Sequence, residues 1–457
     1  MINDTICALA TPSGTGAIAV LRLSGPESIA IADQLFHSIH EGKRLADQAS
    51  HTVHLGTLKK DGQTLDEVLV TVFKNPKSYT GEDVVEFSCH GSPYIQQKLM
   101  QWLLASGARL ARQGEFTMRA FIHGKMDLSQ AEAVADLISS DSEAAHQMAM
   151  QQMRGGYSQE IEQLREQLMN FASLIELELD FPEEDVEFAN REALENLLGN
   201  IREVLKKLVD SFALGNVLKN GIPVAIVGAP NAGKSTLLNA LMKEERAIVS
   251  DVAGTTRDTI EDELNLGGVN FRFIDTAGIR ETEDGIESIG IRKAFEKIEQ
   301  AQVVLYIFDA SLRDPAAMKE ELEGLNIPDD KQLICIANKV DKVDEQRRAS
   351  FAALPHVVLM SAKEQDTQAL ENLLLKQLKQ GKISDNEMIV SNSRHYASLH
   401  HALEAIVKVQ QGLEHGLTGD FLALDIRTAL DHLGEITGQI TSDDLLGNIF
   451  SRFCIGK

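Results

Sequence analysis

Gly228-Ala229-Pro230-Asn231-Ala232-Gly233-Lys234-Ser235 is the stretch on which the fold turns. Two glycines with four residues between them, followed by a lysine and a hydroxyl residue, spell a complete phosphate-binding loop. Upstream, Ile222 to Val227 is a short apolar run that reads as a buried strand, and downstream Thr236 to Met242 has helical spacing. In that order, the glycines let the backbone turn with φ > 0 and bring its N–H groups to a polyphosphate, with the positive N-terminal end of the helix behind them. Lys234 is the point charge for the β and γ phosphates, and Ser235 carries the hydroxyl that a phosphate-bound Mg²⁺ requires. Asn231, Ala232, Gly233 and Thr236 complete the expected phosphate-side set.

The chain around this loop is 457 residues long, which exceeds one core and predicts about three domains. Its 43% hydrophobic and 25% charged residues are ordinary for a globular protein. No apolar run approaches the ~20 residues needed to cross a bilayer, and Met1 to Thr11 lacks the basic start of a signal peptide, so the expected compartment is the cytoplasm, away from membranes. Cys7, Cys89, Cys335 and Cys454 are scattered with no metal-ligand spacing, which predicts reduced thiols and neither disulfides nor zinc. A net charge of −24 repels nucleic acid on average, though a local basic patch still binds it.

The first segment, 1–120, mixes β-like runs (Ile6 to Ala10, Ala17 to Leu23, Val68 to Phe73, Val84 to Ser88) with helical patterns at Ser28 to His37 and Tyr94 to Leu104, predicting an α+β domain. From Leu128 to Phe212 apolar residues recur at helical spacing, as in Leu164, Leu168, Phe171, Ile175 and Leu179. Apolar and helical runs then alternate through Phe271 to Ile274, Val303 to Phe308, Leu333 to Ala337 and Val357 to Met360, the signature of a doubly wound, mostly parallel sheet. Gly267-Gly268 reads as a hairpin that makes one strand antiparallel. Helical texture returns at Ser393 to Leu413 and Phe421 to Cys454, and Thr441 with Asp444 has capping-box spacing. The expected fold is therefore multidomain α/β: an α+β domain over 1–120, one discontinuous helical domain over 121–215 and 382–457, and a Ras-like nucleotide domain inserted over 216–381.

Asn338-Lys339-Val340-Asp341 follows a predicted strand, and its aspartate accepts a pair of hydrogen bonds that guanine offers and adenine does not. Ser361-Ala362-Lys363 follows the next strand, where a backbone N–H meets the guanine O6. After a phosphate loop and at strand ends, the pair specifies a guanine nucleotide. Asp275-Thr276-Ala277-Gly278 places Asp275 to hold Mg²⁺ through water and the Gly278 N–H to sense the γ-phosphate. Thr256, in Gly254-Thr255-Thr256-Arg257-Asp258, is the second Mg²⁺ hydroxyl, within a first switch that includes Ser250, Asp251, Val252 and Ala253. The motifs identify a GTPase whose two switches are released when the γ-phosphate is lost. Ile279 stands where Ras-like GTPases keep their water-orienting glutamine, so hydrolysis needs another device.

With its ending Phe453-Cys454-Ile455-Gly456-Lys457, the whole chain resembles the tRNA-modifying GTPase family called MnmE or TrmE. The resemblance implies that Asn231, with Ser250, Val252 and Thr255, coordinates a K⁺ ion where other GTPases use an arginine finger. Arg257 and Arg280 are accordingly read as a switch salt bridge. It also implies that Glu287 positions water; by chemistry alone Glu287 is one of four acids from Glu281 to Glu287, on what reads as a solvated face. It further implies 5-formyl-tetrahydrofolate or a related one-carbon folate held by Arg22, Glu86, Lys125 and Lys457. It implies homodimerisation, and a flavoprotein partner, MnmG or GidA, that carries FAD. Together they place a carboxymethylaminomethyl-type group on C5 of the wobble uridine of tRNA. Cys454 is a candidate for that chemistry, with burial as a packing residue the competing role. A ribosome-assembly GTPase like Era or Der would share the nucleotide motifs but append a basic RNA-binding domain, which this acidic chain lacks.

Overall fold

A computed structural model describes residues 4–180, 191–243, 262–274, 298–315, 318, 327–328, 331–354, 357–378 and 388–457. The chain divides into two compact units, Met1–Ser139 with Ala149–Arg202 and His401–Lys457, and Ser140–Met148 with Glu203–His400.

The first unit is built on a seven-stranded sheet: β1 (Ile6–Leu9), β2 (Ile18–Ser24), β3 (Phe36–Ser38), β4 (Thr52–Lys60), β5 (Gln63–Phe73), β6 (Val84–His90) and β7 (Arg109–Leu110). Their order is β3-β4-β5-β6-β2-β1-β7, antiparallel except for the β1–β7 pair. Alternation decides its buried face: Val68, Val70 and Val72 of β5, Leu21 and Leu23 of β2, and Val85 and Phe87 of β6 enter the core. Helices α1 (Ser28–Leu35) and α2 (Pro93–Ala105) cover that face with Ile31, Leu35, Leu99 and Leu103. Predicted to reach His37, α1 instead ends at Leu35, because the Phe36 backbone turns extended and pairs with Leu58 as β3. β4 went unpredicted because its Val53 and Leu55 face solvent and the buried positions include His54.

The helices α3 (Glu115–Ile122), α4 (Leu128–Ser139), α5 (Glu143–Met153), α6 (Ser158–Asp180) and α7 (Arg191–Asn220) follow. Within the first unit Leu164, Leu168 and Ile175 form the buried stripe of α6 anticipated from their spacing.

The second unit carries a six-stranded sheet of β8 (Ile222–Val227), β9 (Asp262–Leu266), β10 (Val269–Phe273), β11 (Val303–Asp309), β12 (Gln332–Asn338) and β13 (Val357–Leu359), in the order β13-β12-β11-β8-β10-β9. All pairs are parallel except β9–β10, which turns through Gly267 and Gly268 at φ 57° and 84°. Positive φ at both turn residues is what a two-residue hairpin demands. The central strand β11 is buried along its whole length, as a parallel strand covered on both faces must be. Helix α8 (Lys234–Lys243) follows the phosphate loop, and α9 (Glu345–Ala352) and α10 (Gln368–Leu378) complete the α/β alternation.

Helices α11 (Ser393–Glu414), α12 (Gly419–Thr437) and α13 (Asp443–Phe450) close the chain. Arg427 of α12 pairs with Glu176 of α6 at 2.6 Å, joining helices far apart in sequence. The cap of α13 is Ser442, whose hydroxyl accepts from the Leu445 N–H at 3.2 Å; this corrects the assignment to Thr441 by one residue. Phe450 and Phe453 pack on Leu128 and Ala131, which seats the last turn of the chain against α4.

Candidate functional site

Two sites emerge, one in each unit. In the second, β8 delivers the chain into the loop 228–233 and α8 begins at Lys234. Gly228 has φ 151°, and a Cβ there would stand 2.0 Å from the Ile307 carbonyl oxygen of β11. A Cβ on Gly233, at φ 107°, would lie 2.2 Å from the Asn338 side-chain nitrogen. Only glycine lets the loop lie this close to its neighbours, and the resulting concave backbone fits a polyphosphate. Asn231 adopts φ 61°, a left-handed conformation that asparagine tolerates better than most side chains. Lys234 arches back and donates to the carbonyls of Gly228 at 2.9 Å and Ala229 at 3.0 Å, while Ser235 and Thr236 are exposed at the start of α8.

The guanine motifs meet this loop directly. Asn338, 2% exposed at the end of β12, donates from Nδ2 to the Ala232 carbonyl at 2.7 Å and accepts the Ala362 N–H on Oδ1 at 2.9 Å. Lys339, at φ 63°, donates from Nζ to the Asn231 carbonyl at 2.8 Å. The Ser361 hydroxyl donates to Asp341 at 2.9 Å, orienting that carboxylate, and Lys363 is exposed beside it. Three separate stretches therefore form one construction: 231–236, 338–341 and 361–363. Ser250, Asp251, Val252, Ala253, Gly254, Thr255, Thr256, Asp275, Thr276, Ala277, Gly278 and Glu287 lie outside the described residues.

Asp309 belongs to this site and was not singled out from sequence. It ends β11, and its Oδ2 receives Lys339 Nζ at 2.7 Å while Oδ1 receives both the N–H (2.9 Å) and hydroxyl (2.6 Å) of Ser311. Burial raises its carboxyl, but Lys339 and the two Ser311 donors outweigh it and hold the group below the usual aspartate value. The available signal was an acid closing an otherwise apolar strand.

In the first unit, Arg22 of β2 sits opposite Glu86 of β6 in register and donates to it at 2.7 Å. Its Nη1 also donates to the Gly456 carbonyl at 3.2 Å, tying the chain terminus to the sheet. The guanidinium lies 5.6 Å from the ring centres of both Tyr79 and Phe116. Lys457 is held below the usual lysine value by burial and by Arg22, against the pull of Glu86 and Cys454. Arg22, Glu86 and Lys457 are thus brought together, whereas Lys125 donates to the Pro76 carbonyl at 3.0 Å on the loop leading to Tyr79. Cys454 is exposed. A carboxylate and cationic groups suit a pterin with an acidic tail, while Tyr79 and the buried Phe116 pack on Arg22. Tyr79 and Phe116 were missed because neither stands in a motif.

A family model described as GTP-binding protein TrmE N-terminus matches residues 5–125, and one described as MnmE helical domain matches 128–454. The chain belongs to the MnmE family. The proteins of this name from Flavobacterium johnsoniae and Christiangramia forsetii, each called tRNA modification GTPase MnmE, are 60% identical over 468 residues and 59% over 475, covering all of both chains. That from Flavobacterium psychrophilum is 59% identical over 460 residues, covering 100% of this chain and 99% of its own. The MnmE helical model spans α4 through Cys454 and so encloses the nucleotide-binding sheet. Among solved structures, Era in complex with MgGDPNP and nucleotides 1506–1542 of 16S ribosomal RNA is 28% identical over 40% of this chain and 66% of its own, with a TM-score of 0.24.

Proposed function

We propose that this member of the MnmE family is a K⁺-dependent GTPase which, with a flavoprotein partner carrying FAD, installs a carboxymethylaminomethyl-type group at C5 of the wobble uridine of tRNA. The observation that carries the nucleotide half is Asn338, which clasps the phosphate loop through Ala232 and the guanine-side loop through Ala362. One side chain thereby ties base recognition to phosphate recognition. Asp341, oriented by Ser361, then discriminates guanine, and the backbone of Gly228 to Gly233 with Lys234 binds the phosphates.

Ser235 and Thr256 would hold Mg²⁺, which neutralises charge between the β and γ phosphates when bound. Asn231, Ser250, Val252 and Thr255 would hold K⁺, which supplies the charge of an absent arginine finger. Asp275 and Gly278 would report the γ-phosphate, and Glu287 would position water. For the modification half, Arg22, Glu86, Lys125 and Lys457 would bind formyl-tetrahydrofolate, whose one-carbon unit is the chemistry it supplies. Cys454, three residues from Lys457, would offer a thiol to that chemistry. The reading includes a homodimer, in which paired nucleotide domains close on GTP, and a discontinuous helical domain over 121–215 and 382–457 that carries their motion to the modification centre. It also places the protein in the cytoplasm with its tRNA; among the described residues no helix is long and apolar enough to cross a membrane.

GTP turnover measured in K⁺ and in Na⁺ at equal ionic strength tests the reading. K⁺ is expected to accelerate hydrolysis, and Asn231→Ala to abolish the difference. Equal rates for the unaltered protein in the two salts contradict the cation mechanism.

A further inference from the structure

One lysine of the site, Lys339, reaches a carboxylate that no nucleotide motif contains. Lys339 Nζ spans from the Asn231 carbonyl (2.8 Å) to Asp309 Oδ2 (2.7 Å), so its ammonium is a bridge with an anchor at each end. The Asp309 anchor is itself fixed: the residue is 8% exposed, and Ser311 occupies its other oxygen through both N–H and hydroxyl. At the far end the bridge grips Asn231, a non-glycine residue in left-handed conformation, and beside it Asn338 grips Ala232. Two successive carbonyls of the phosphate loop are therefore held by two successive residues of the guanine loop.

We infer that Asp309 is a positioning residue for nucleotide binding: by anchoring Lys339, it fixes the Asn231 backbone and makes guanine recognition and cation binding one coupled element. A lysine without its anchor keeps its charge but samples many rotamers, so its bond to Asn231 is lost for much of the time. Asn231 then relaxes from its left-handed conformation, which most side chains disfavour. The inference rests on the guanine-nucleotide reading above. It deepens that reading by adding a residue that lies in β11, outside every motif.

The test uses the full chain and compares the unaltered protein with Asp309→Ala, Asp309→Asn, Lys339→Met and the Asp309→Ala/Lys339→Met pair. GDP affinity is read by fluorescence titration, and the K⁺ concentration for half-maximal turnover is read alongside. Asp309→Ala is expected to weaken GDP about tenfold, the scale of one charge-assisted hydrogen bond, and to raise the half-activating K⁺ several-fold. Asp309→Asn, isosteric and still an acceptor, falls between. Because Asp309 acts through Lys339, adding Asp309→Ala to Lys339→Met changes GDP affinity less than about twofold. An equal effect of Asp309→Ala in both backgrounds overturns the inference, as does a folded Asp309→Ala or Asp309→Asn protein with unaltered GDP affinity and K⁺ response. A merely structural role would lower the melting temperature and leave both readouts in place. If the unaltered protein binds no GDP, the guanine reading fails. If it binds GDP but ignores K⁺, the cation mechanism fails while the affinity comparisons still decide the role of Asp309.

Discussion

Replacing Asn338 by alanine strikes the junction of three motifs without touching the phosphate loop's own sequence. The side chain is 2% exposed and makes hydrogen bonds of 2.7 Å to the Ala232 carbonyl and 2.9 Å from the Ala362 N–H. Both partners belong to residues that are themselves 2% exposed, so water does not readily replace what is lost. Leaving a buried polar group unpaired costs ~1–3 kcal/mol, so two such groups amount to at least ~2 kcal/mol. That cost falls on folding, and where the freed loops relax without nucleotide it opposes binding, so at about 1.4 kcal/mol per tenfold GDP affinity should fall by up to roughly 30-fold. Asn338→Asp sharpens the argument: it is isosteric and still accepts from Ala362, but turns an oxygen toward the Ala232 carbonyl. It should bind GDP no better than the alanine variant. Fluorescence titration with GDP, paired with urea unfolding, measures both effects. If either variant binds GDP within about threefold of the unaltered protein, the coupling of the loops through Asn338 is refuted.

Gly228→Ala should cost about 2–5 kcal/mol in urea unfolding and stop GTP turnover, because the new methyl group meets the immobile Ile307 carbonyl of β11; an unchanged midpoint contradicts that packing. Arg119→Met, at a side chain with no exposure that binds Asp4, Glu82 and Glu115, should cost ~3–5 kcal/mol by leaving carboxylates unpaired. Burial raises the Glu115 carboxyl, but Arg109, the Arg112 N–H and Arg119 together hold it below its ordinary 4.5. Its contribution is therefore full above about pH 4.5 and is lost as pH falls through the depressed value, so the stability gap between wild type and variant should narrow in acid. A gap that stays constant from pH 7 into acid contradicts this. Cys454→Ser should leave GTP hydrolysis unchanged and abolish wobble modification in an assay with tRNA and the flavoprotein; unchanged modification removes the thiol from the chemistry.

The second unit was the more legible in sequence because buried parallel strands are unbroken apolar runs, and Ile222 to Val227 and Val303 to Phe308 admit few other readings. The guanine loops were legible through the chemistry of Asn338 and Asp341, since a side chain that must face a base appears at a strand end whatever else surrounds it. Asp309 and Arg119 were not, because a charged residue is expected at the surface until its partners are known. Those of Arg119 come from positions 4, 82 and 115, which only the fold brings together. The terminal Lys457 gains meaning the same way, through an arginine on β2 that grips its neighbour Gly456. Thr441 and Ser442 show the finer limit: two hydroxyl residues in succession offer the same cap, and the backbone selects the second.

The most direct measurement of the central claim is the nucleoside profile of wobble uridines in tRNA from cells lacking this protein, restored by the unaltered chain or by Asn338→Ala. The account predicts loss of the C5 carboxymethylaminomethyl-type nucleosides, their return with the unaltered chain, and little return with the variant. An unchanged profile in the deleted cells would contradict it.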